Sequence, residues 1–248
     1  MHLLRNRVAA LVTATAFAVT LPACGDGDGK GAAALKPLWE RLRPSGARIE
    51  AVAMDMSAAY RGAVTRHLKK AVIVFDHFHV IKLFNGKLSD LRRSLYHRAE
   101  ADQKKVLKGA RWLLLKNPEN LDSDKDERVR LEEALALNKP LATAYYLKED
   151  LRRFWEQPGK RFATAFLDGW LRRTEASGVK MLQQMARTLA AHRSGLLAYY
   201  DAMITSGPME GTNNKIKTMK RMAYGFRDRE FFRLKMLAIH ETKYALVG

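Results

Sequence analysis

The sequence contains almost no cysteine and no apolar run of the length that a transmembrane helix needs. Cys24 is the only cysteine among the 248 residues, so an internal disulfide is excluded. His77 and His79 alternate but lack the partners that zinc-finger spacing requires. The apolar run VAALVTATAFAVTL is too short for an ordinary membrane-spanning helix. A disulfide-stapled fold is therefore excluded, and nothing indicates a zinc centre.

Acidic residues are also scarce relative to basic ones. The chain has 26 Asp and Glu against 44 Lys and Arg, and its net charge is +18. Hydrophobic residues make up 47% of the chain, which is enough to bury a core. The length suits one large domain or two small ones. The charge favours a polyanionic partner, with nucleic acid first and an anionic membrane surface second. A basic protein without such a partner is the alternative.

The N-terminal residues 1–24 form an atypical, signal-like leader. A short basic start, the apolar run and LPAC together resemble a bacterial lipoprotein signal peptide, in which Cys24 would be lipidated. The competing interpretation is that the leader is out-of-frame sequence and LPAC arises by chance. Residues 25–34, GDGDGKGAAA, fit neither a phosphate loop nor a calcium loop and are expected to be a linker.

The next region predicts an α/β arrangement followed by helices. RIEAVAMDM reads as a buried strand ending at Asp55, and a helix follows with Ser57 as a plausible N-cap. AVIVFDHFHVI predicts a second strand, with Asp76 and His79 at its end. The short joints imply parallel strands, whose carboxyl ends form sites at one edge of a sheet. Residues 83–200 predict amphipathic helices throughout.

A single carboxylate opens a basic helical segment near the C terminus. On a helix starting near MEGTNNKIKTMKRM, Glu210, Asn214, Lys217 and Arg221 share one face. That carboxylate could hold a divalent metal while the cations follow a phosphate backbone. Alternatively, Glu210 only stabilises the helix N-terminus and the cations are solvated. The apolar residues on the other faces can pack inward: Ile216, Met219 and Met222.

Four blocks, in order, resemble the catalytic domain of bacterial insertion-sequence transposases of the ISL-three family. They are VAMDMSAAYRGAV, VIVFDHFHVIKL, ARTLAAHRSGLLAYYD and ITSGPMEGTNNKIKTMKRMAYGFRDREFFRLKML. The resemblance runs from about Gly25 to near the C terminus. It implies an α/β, predominantly helical fold, in which a partial ribonuclease H-like core carries a large all-helical insertion. It also implies DDE chemistry, in which two Asp and one Glu hold two Mg²⁺ ions for phosphodiester attack. Mn²⁺ is expected to substitute for Mg²⁺.

The resemblance assigns roles to individual residues. Asp55 matches the second catalytic aspartate and Glu210 matches the catalytic glutamate, so both are expected to be metal ligands. Asp76 and His79 match the family's Asp-x-x-His motif and are expected near the site, orienting ligands or binding DNA. For Asp76, capping of a strand end is the alternative. Contacts to the terminal inverted repeats of the element are expected from five residues: Asn214, Lys215, Lys217, Lys220 and Arg221.

The resemblance also fails in places. The family's first catalytic aspartate lies on an early strand, residues 1–24 do not read as that strand, and Asp26 and Asp28 are not convincing substitutes. Ser206 stands where the family usually has Asn, a departure expected to have little effect. The expectation is a truncated, catalytically defective transposase. It would comprise four segments: the leader 1–24, a partial core 25–83, a helical insertion 84–190 and a C-terminal part 191–248.

Three functions therefore compete. The first is a DDE transposase, acting with DNA in the bacterial cytoplasm at the nucleoid and forming homo-oligomers in the intact family. The second is a truncated, non-catalytic DNA-binding protein that inhibits an intact copy. The third is an exported, membrane-anchored lipoprotein, which rests only on residues 1–24.

Overall fold

The chain divides into two compact units. A computed structural model describes four stretches: residues 8–11, 32–46, 48–205 and 207–238. One unit comprises the residues up to Phe78 together with those from Ala202 onwards, and the other comprises His79–Asp201. The first unit holds the described strands, and the second is helical. A predominantly helical α/β chain was predicted and is confirmed, whereas the ribonuclease H-like assignment stays a prediction.

The first unit contains a sheet of three described parallel strands in the order β1-β2-β3. Its strands are β1 (Val8–Leu11), β2 (Ile49–Met54) and β3 (Val72–Phe75). The predicted parallel pair is confirmed, and its register runs from Ala51 opposite Val72 to Met54 opposite Phe75. β2 is the central strand, and all its residues except Glu50 are buried. This apolar run is typical of a strand covered on both faces.

Strand β1 was not predicted. Val8 pairs with Ile49 and Leu11 with Ala53, with one irregularity between them. Length and composition do not distinguish a short apolar strand from the apolar core of a signal peptide, which is why residues 1–24 were expected to form a signal-like leader without a strand. The rest of the leader 1–24, including Cys24, and residues 25–31 with Asp26 and Asp28 lie outside the described residues.

Two helices flank β2 in the chain. A 3₁₀ turn, Ala32–Leu35, leads into α1 (Lys36–Ser45), which ends at Gly46 with φ of +61°. Glycine adopts this left-handed conformation without a steric penalty. α2 (Ala58–His67) lies between β2 and β3. Ser57 is the N-cap residue as predicted, but its side chain makes no capping hydrogen bond.

The second unit is a run of helices, as predicted. α3 (His77–Arg98) enters it from β3. The helices that follow are α4 (Ala101–Gly109), α5 (Glu127–Ala136), α6 (Lys139–Arg152), α7 (Lys160–Glu175), α8 (Lys180–Ala191), α9 (Arg193–Leu197) and α10 (Tyr199–Ala202). Short 3₁₀ turns join some of them: Leu113–Leu115, Pro118–Asn120 and Arg153–Glu156.

The core of this unit is built around Trp170. Its side chain is fully buried, its ring meets that of Phe84 edge-on at 6.3 Å, and its Nε1 donates to the Leu147 carbonyl at 2.9 Å. Lys148, the residue after Leu147, is also buried, and it donates to the Leu114 carbonyl at 2.8 Å. Burial lowers the pKa of Lys148, and the hydrogen bond that Lys148 donates to the Glu149 carboxylate opposes that shift. The aromatic and leucine stripes of this region therefore serve packing.

The chain returns to the first unit through two more helices. They are α11 (Gly207–Met222) and α12 (Arg229–Leu237). Ile216 is buried as predicted, but Met222 is 78% exposed, so its predicted inward packing is wrong. Met222 is the last residue of α11 and borders an open groove on the helix surface. Across the described residues, no helix has the length and apolarity to span a membrane.

Candidate active site and nucleic-acid interface

Two aspartates lie side by side at the carboxyl edge of the sheet. Asp55 follows β2 directly and Asp76 follows β3 directly. Met54 and Phe75 are in register, and the Asp76 N–H donates to the Met54 carbonyl at 3.1 Å. Parallel strands run about 4.8 Å apart, so the backbones of the two aspartates are neighbours. The sheet thus places together two residues that are separated in the chain by a whole helix.

The Asp55 carboxylate is half-exposed and only partly occupied by hydrogen bonds. Its Oδ1 accepts the backbone N–H of Ser57 at 3.0 Å, which fixes the turn into α2. Within the described part of the chain, no hydrogen bond is made to its Oδ2. Burial, followed by the negative charge of Asp55, raises the pKa of Tyr60 on α2. Asp55 therefore presents a carboxylate oxygen at the sheet edge, the kind of ligand that a hard cation prefers.

Asp76 is in a different situation, because it is 2% exposed and both of its oxygens have partners. Oδ1 accepts the backbone N–H of Phe78 at 3.0 Å and lies 3.2 Å from Nδ1 of His77. Oδ2 accepts from the Thr205 hydroxyl at 3.3 Å. A carboxylate that accepts N–H groups at the start of α3 acts as a helix cap. Asp76 thus caps the start of a helix, whereas the two roles raised by the sequence, a residue near the site and a strand-end cap, stay predictions.

The bond to Thr205 joins β3 to the segment that leads into α11. Thr205 is 129 residues from Asp76 in the chain and lies shortly before Gly207, where α11 begins. Glu210 belongs to the first turn of that helix. Its side chain lies outside the described part of the structure. The hydrogen bond between Asp76 and Thr205 thus positions the start of the helix that carries Glu210.

His79 does not lie at the end of a strand as predicted. β3 ends at Phe75 and α3 begins at His77, so His79 is in the first turn of a helix and belongs to the second unit. The Asp76 carboxylate caps this helix directly after β3 ends. The apolar residues on both sides of Asp76 favour a strand, so the sequence pattern did not predict that the helix begins there. Among the residues that the structure describes, no three His, Cys, Asp or Glu side chains gather closely enough to hold a metal ion.

Helix α11 carries all five residues predicted to contact DNA. One groove, called here the basic groove, is lined by six residues: Asn214, Lys217, Lys220, Arg221, Tyr224 and Gly225. Its cationic side chains are exposed. Lys215 does not line the basic groove, and it borders an apolar groove with Phe226, Phe231 and Lys235 instead. Asn214 borders both grooves.

Among the residues that the structure describes, the cations of α11 have no carboxylate partners. None of the ion pairs among the described residues involves Lys215, Lys217, Lys220 or Arg221. Arg221 only donates to the Thr218 hydroxyl at 3.4 Å. Cations of the helical unit are more often paired, for example Arg193 with Asp168 at 2.9 Å. An uncompensated row of cations attracts a polyanion.

Two residues of this region were missed by sequence reasoning. Thr205 had no signal, because its contact with Asp76 depends on tertiary structure. Tyr224 did have a signal, since an aromatic residue in AYGF follows directly on the basic helix. Aromatic side chains among cations are typical of surfaces that bind nucleic acid.

Comparison with known proteins matches the chain to transposases. Residues 23–236 match a family model described as transposase, of the ISL-three DDE type. The transposase for insertion sequence element IS1001 of Bordetella parapertussis is 37% identical over 216 residues. That alignment covers 86% of this chain and 53% of the relative.

A more distant relative is also a transposase and is also matched over about half of its length. The transposase for insertion sequence element IS1557 of Mycobacterium tuberculosis is 28% identical over 227 residues, which cover 82% of this chain and 50% of the relative. The chain thus spans about half the length of the curated relatives it matches. No solved structure matches the chain.

Replacing Asp76 tests whether its contacts hold this edge of the sheet together. Asp76→Ala leaves the Phe78 N–H and the Thr205 hydroxyl without their acceptor, so the free energy of unfolding should fall by about 2 kcal/mol. Urea unfolding measures this change, and hydrogen exchange should quicken at Phe78 and at the start of α11. Asp201→Ala, which removes an exposed ion pair with Lys160, is the control and should cost less than about 0.5 kcal/mol. Equal costs for the two variants would contradict this role.

Proposed function

Because the chain belongs to the ISL-three family of insertion-sequence transposases, we propose that it binds the terminal inverted repeats of such an element and carries part of a site for metal-dependent DNA cleavage and strand transfer. One observation supports this most strongly. The partly exposed carboxylate of Asp55 and the hydrogen bond between Asp76 and Thr205 lie at one sheet edge. Thr205 stands shortly before the helix that carries the basic groove. The setting would be the bacterial cytoplasm at the nucleoid, with homo-oligomers in the intact protein.

The described residues fit a divalent metal in part. Asp55 offers a half-exposed oxygen, whereas both oxygens of Asp76 are engaged in hydrogen bonds. We therefore assign Asp55 and Glu210 as the residues that would hold Mg²⁺ or Mn²⁺, and Asp76 as a positioning residue. When bound, the metal would activate water or a DNA 3′-hydroxyl for in-line attack on a phosphodiester. His79 stays a proposed neighbour of this site.

The residues of α11 would hold the DNA. Lys217, Lys220 and Arg221 line one exposed groove, so their charges can face successive phosphates of a single strand. Asn214 can add a hydrogen bond to a phosphate or a base edge. Lys215 would contact DNA only where the duplex also reaches the other side of α11. Positioning of this kind supplies much of the catalysis in phosphoryl transfer.

We further propose that the 248-residue chain, by itself, binds DNA but cleaves it poorly. The family's first catalytic aspartate has no counterpart among the residues that carry the resemblance. Loss of one ligand from a two-metal site removes charge stabilisation that is worth several orders of magnitude in rate. A DNA-binding chain without activity would compete with an intact transposase for its terminal repeats, which is the inhibitor alternative. The lipoprotein alternative has no support from the residues after the leader.

The salt dependence of DNA binding tests the basic groove. Lys217→Ala combined with Arg221→Ala should reduce the slope of log K against log salt by about 2, because each lost phosphate contact removes about 0.9. Fluorescence anisotropy with a labelled duplex of an insertion-sequence end measures this slope.

The matched control removes two exposed cations from the helical unit, Arg172→Ala with Lys180→Ala. It lowers the net charge of the chain equally but leaves the basic groove intact. If the control changed the slope as much as the groove variant, binding would depend on net charge alone, and the assignment of the groove would be wrong.

A strand-transfer assay tests the chemistry. Labelled insertion-sequence ends are incubated with the purified chain and Mg²⁺ or Mn²⁺, and Glu210→Ala is the control. We expect no nicking or joining above the Glu210→Ala level, together with DNA binding that is indifferent to this substitution. Glu210-dependent nicking would show instead that another carboxylate completes the site and that this chain is a working enzyme.

A further inference from the structure

Helix α11 ends in a turn that places an unusual residue in a left-handed conformation. The Gly225 N–H donates to the Lys220 carbonyl at 2.9 Å, and the Tyr224 N–H donates to the Arg221 carbonyl at 3.1 Å. This pair of bonds is the Schellman motif, whose left-handed residue is usually glycine. Here that residue is Tyr224, with φ of +48°. A side chain with a Cβ atom raises the free energy of this conformation.

Burial of the tyrosine ring does not offset that cost. Tyr224 is fully exposed, so its ring gains no burial. Three described non-glycine residues have positive φ, namely Asp126, Met203 and Tyr224. Aspartate tolerates this region because its side chain bonds locally, whereas tyrosine has no such compensation. A strained, exposed aromatic residue points to a role in binding.

The neighbours of Tyr224 indicate what it binds. Tyr224 lines the basic groove together with Lys217, Lys220 and Arg221. These three cations have no carboxylate partner among the described residues. A flat aromatic face beside a row of cations matches the surfaces that hold a strand by its phosphates and stack one of its bases.

We propose that Tyr224 is a stacking platform for an unpaired base of the DNA strand whose phosphates lie on Lys217, Lys220 and Arg221. The inference rests on the proposed DNA-binding function and extends it from phosphate contacts to a base. Bases inside a duplex are covered on both faces by their neighbours, so only an unpaired or terminal base offers a free face. The geometry therefore favours DNA with a frayed or single-stranded end over a continuous duplex.

The test compares two fluorescent DNAs of equal length and sequence. One is a fully paired duplex, and the other has a short single-stranded end. The wild-type chain should bind the second more tightly, and Tyr224→Ala should reduce that binding about tenfold while leaving the paired duplex almost unaffected. Tyr224→Phe should bind both DNAs like the wild type, because the ring is kept.

Tyr224→Gly separates binding from folding. Glycine relieves the left-handed strain, so its thermal midpoint should equal or exceed that of the wild type. Its binding to the DNA with a single-stranded end should nevertheless fall as far as that of Tyr224→Ala. A lower thermal midpoint would show that the ring packs within the protein, and the proposal would be wrong.

The remaining outcomes are also decisive. If the wild-type chain binds neither DNA, the proposed function itself fails. If it binds both and Tyr224→Ala binds both equally well, DNA binding stands and the stacking role of Tyr224 is refuted. A change in oligomeric state for Tyr224→Ala, with unaltered DNA binding, would assign the ring to a protein contact instead.

Discussion

The in-register parallel pairing of β2 and β3 is the constraint on which the candidate site depends. The bond between the Asp76 N–H and the Met54 carbonyl continues the strand ladder past both strand ends. It makes Asp55 and Asp76 neighbours, and the contact of Asp76 with Thr205 then fixes where α11 starts. The register itself runs from Ala51 opposite Val72 to Met54 opposite Phe75, along the buried length of β2.

The two aspartates share an edge but have different chemical capacities. Asp76 is buried, and its oxygens accept hydrogen bonds from the Phe78 N–H and the Thr205 hydroxyl, so its charge stabilises the positions of these two groups. Asp55 is half-exposed and keeps one oxygen available within the described part of the chain. The cations differ in the same way, because many in the helical unit face carboxylates, whereas those of α11 face none among the described residues. Charge left unpaired in this way is available for a metal ion or a phosphate.

The sequence predicted most of what local patterns determine. Apolar runs bounded by turn residues located β2, β3 and the helices, and helical spacing grouped Asn214, Lys217 and Arg221 on one face. Features that depend on tertiary contacts were not predicted from the sequence. The bond between Asp76 and Thr205 spans 129 residues, and the short apolar strand β1 has the same composition as the core of a signal peptide. The start of α3 and the left-handed Tyr224 depend on single capping and helix-end bonds, which leave no periodic trace.

We propose that the sheet edge holds a divalent metal between Asp55 and Glu210. Fe²⁺ in place of Mg²⁺, with ascorbate and peroxide, cuts the polypeptide next to bound metal, and mass spectrometry maps the cuts. We expect cleavage beside Asp55 and in the first turn of α11, lost in Asp55→Asn and kept in Asp201→Asn. Cleavage elsewhere, or cleavage unchanged in Asp55→Asn, would contradict it.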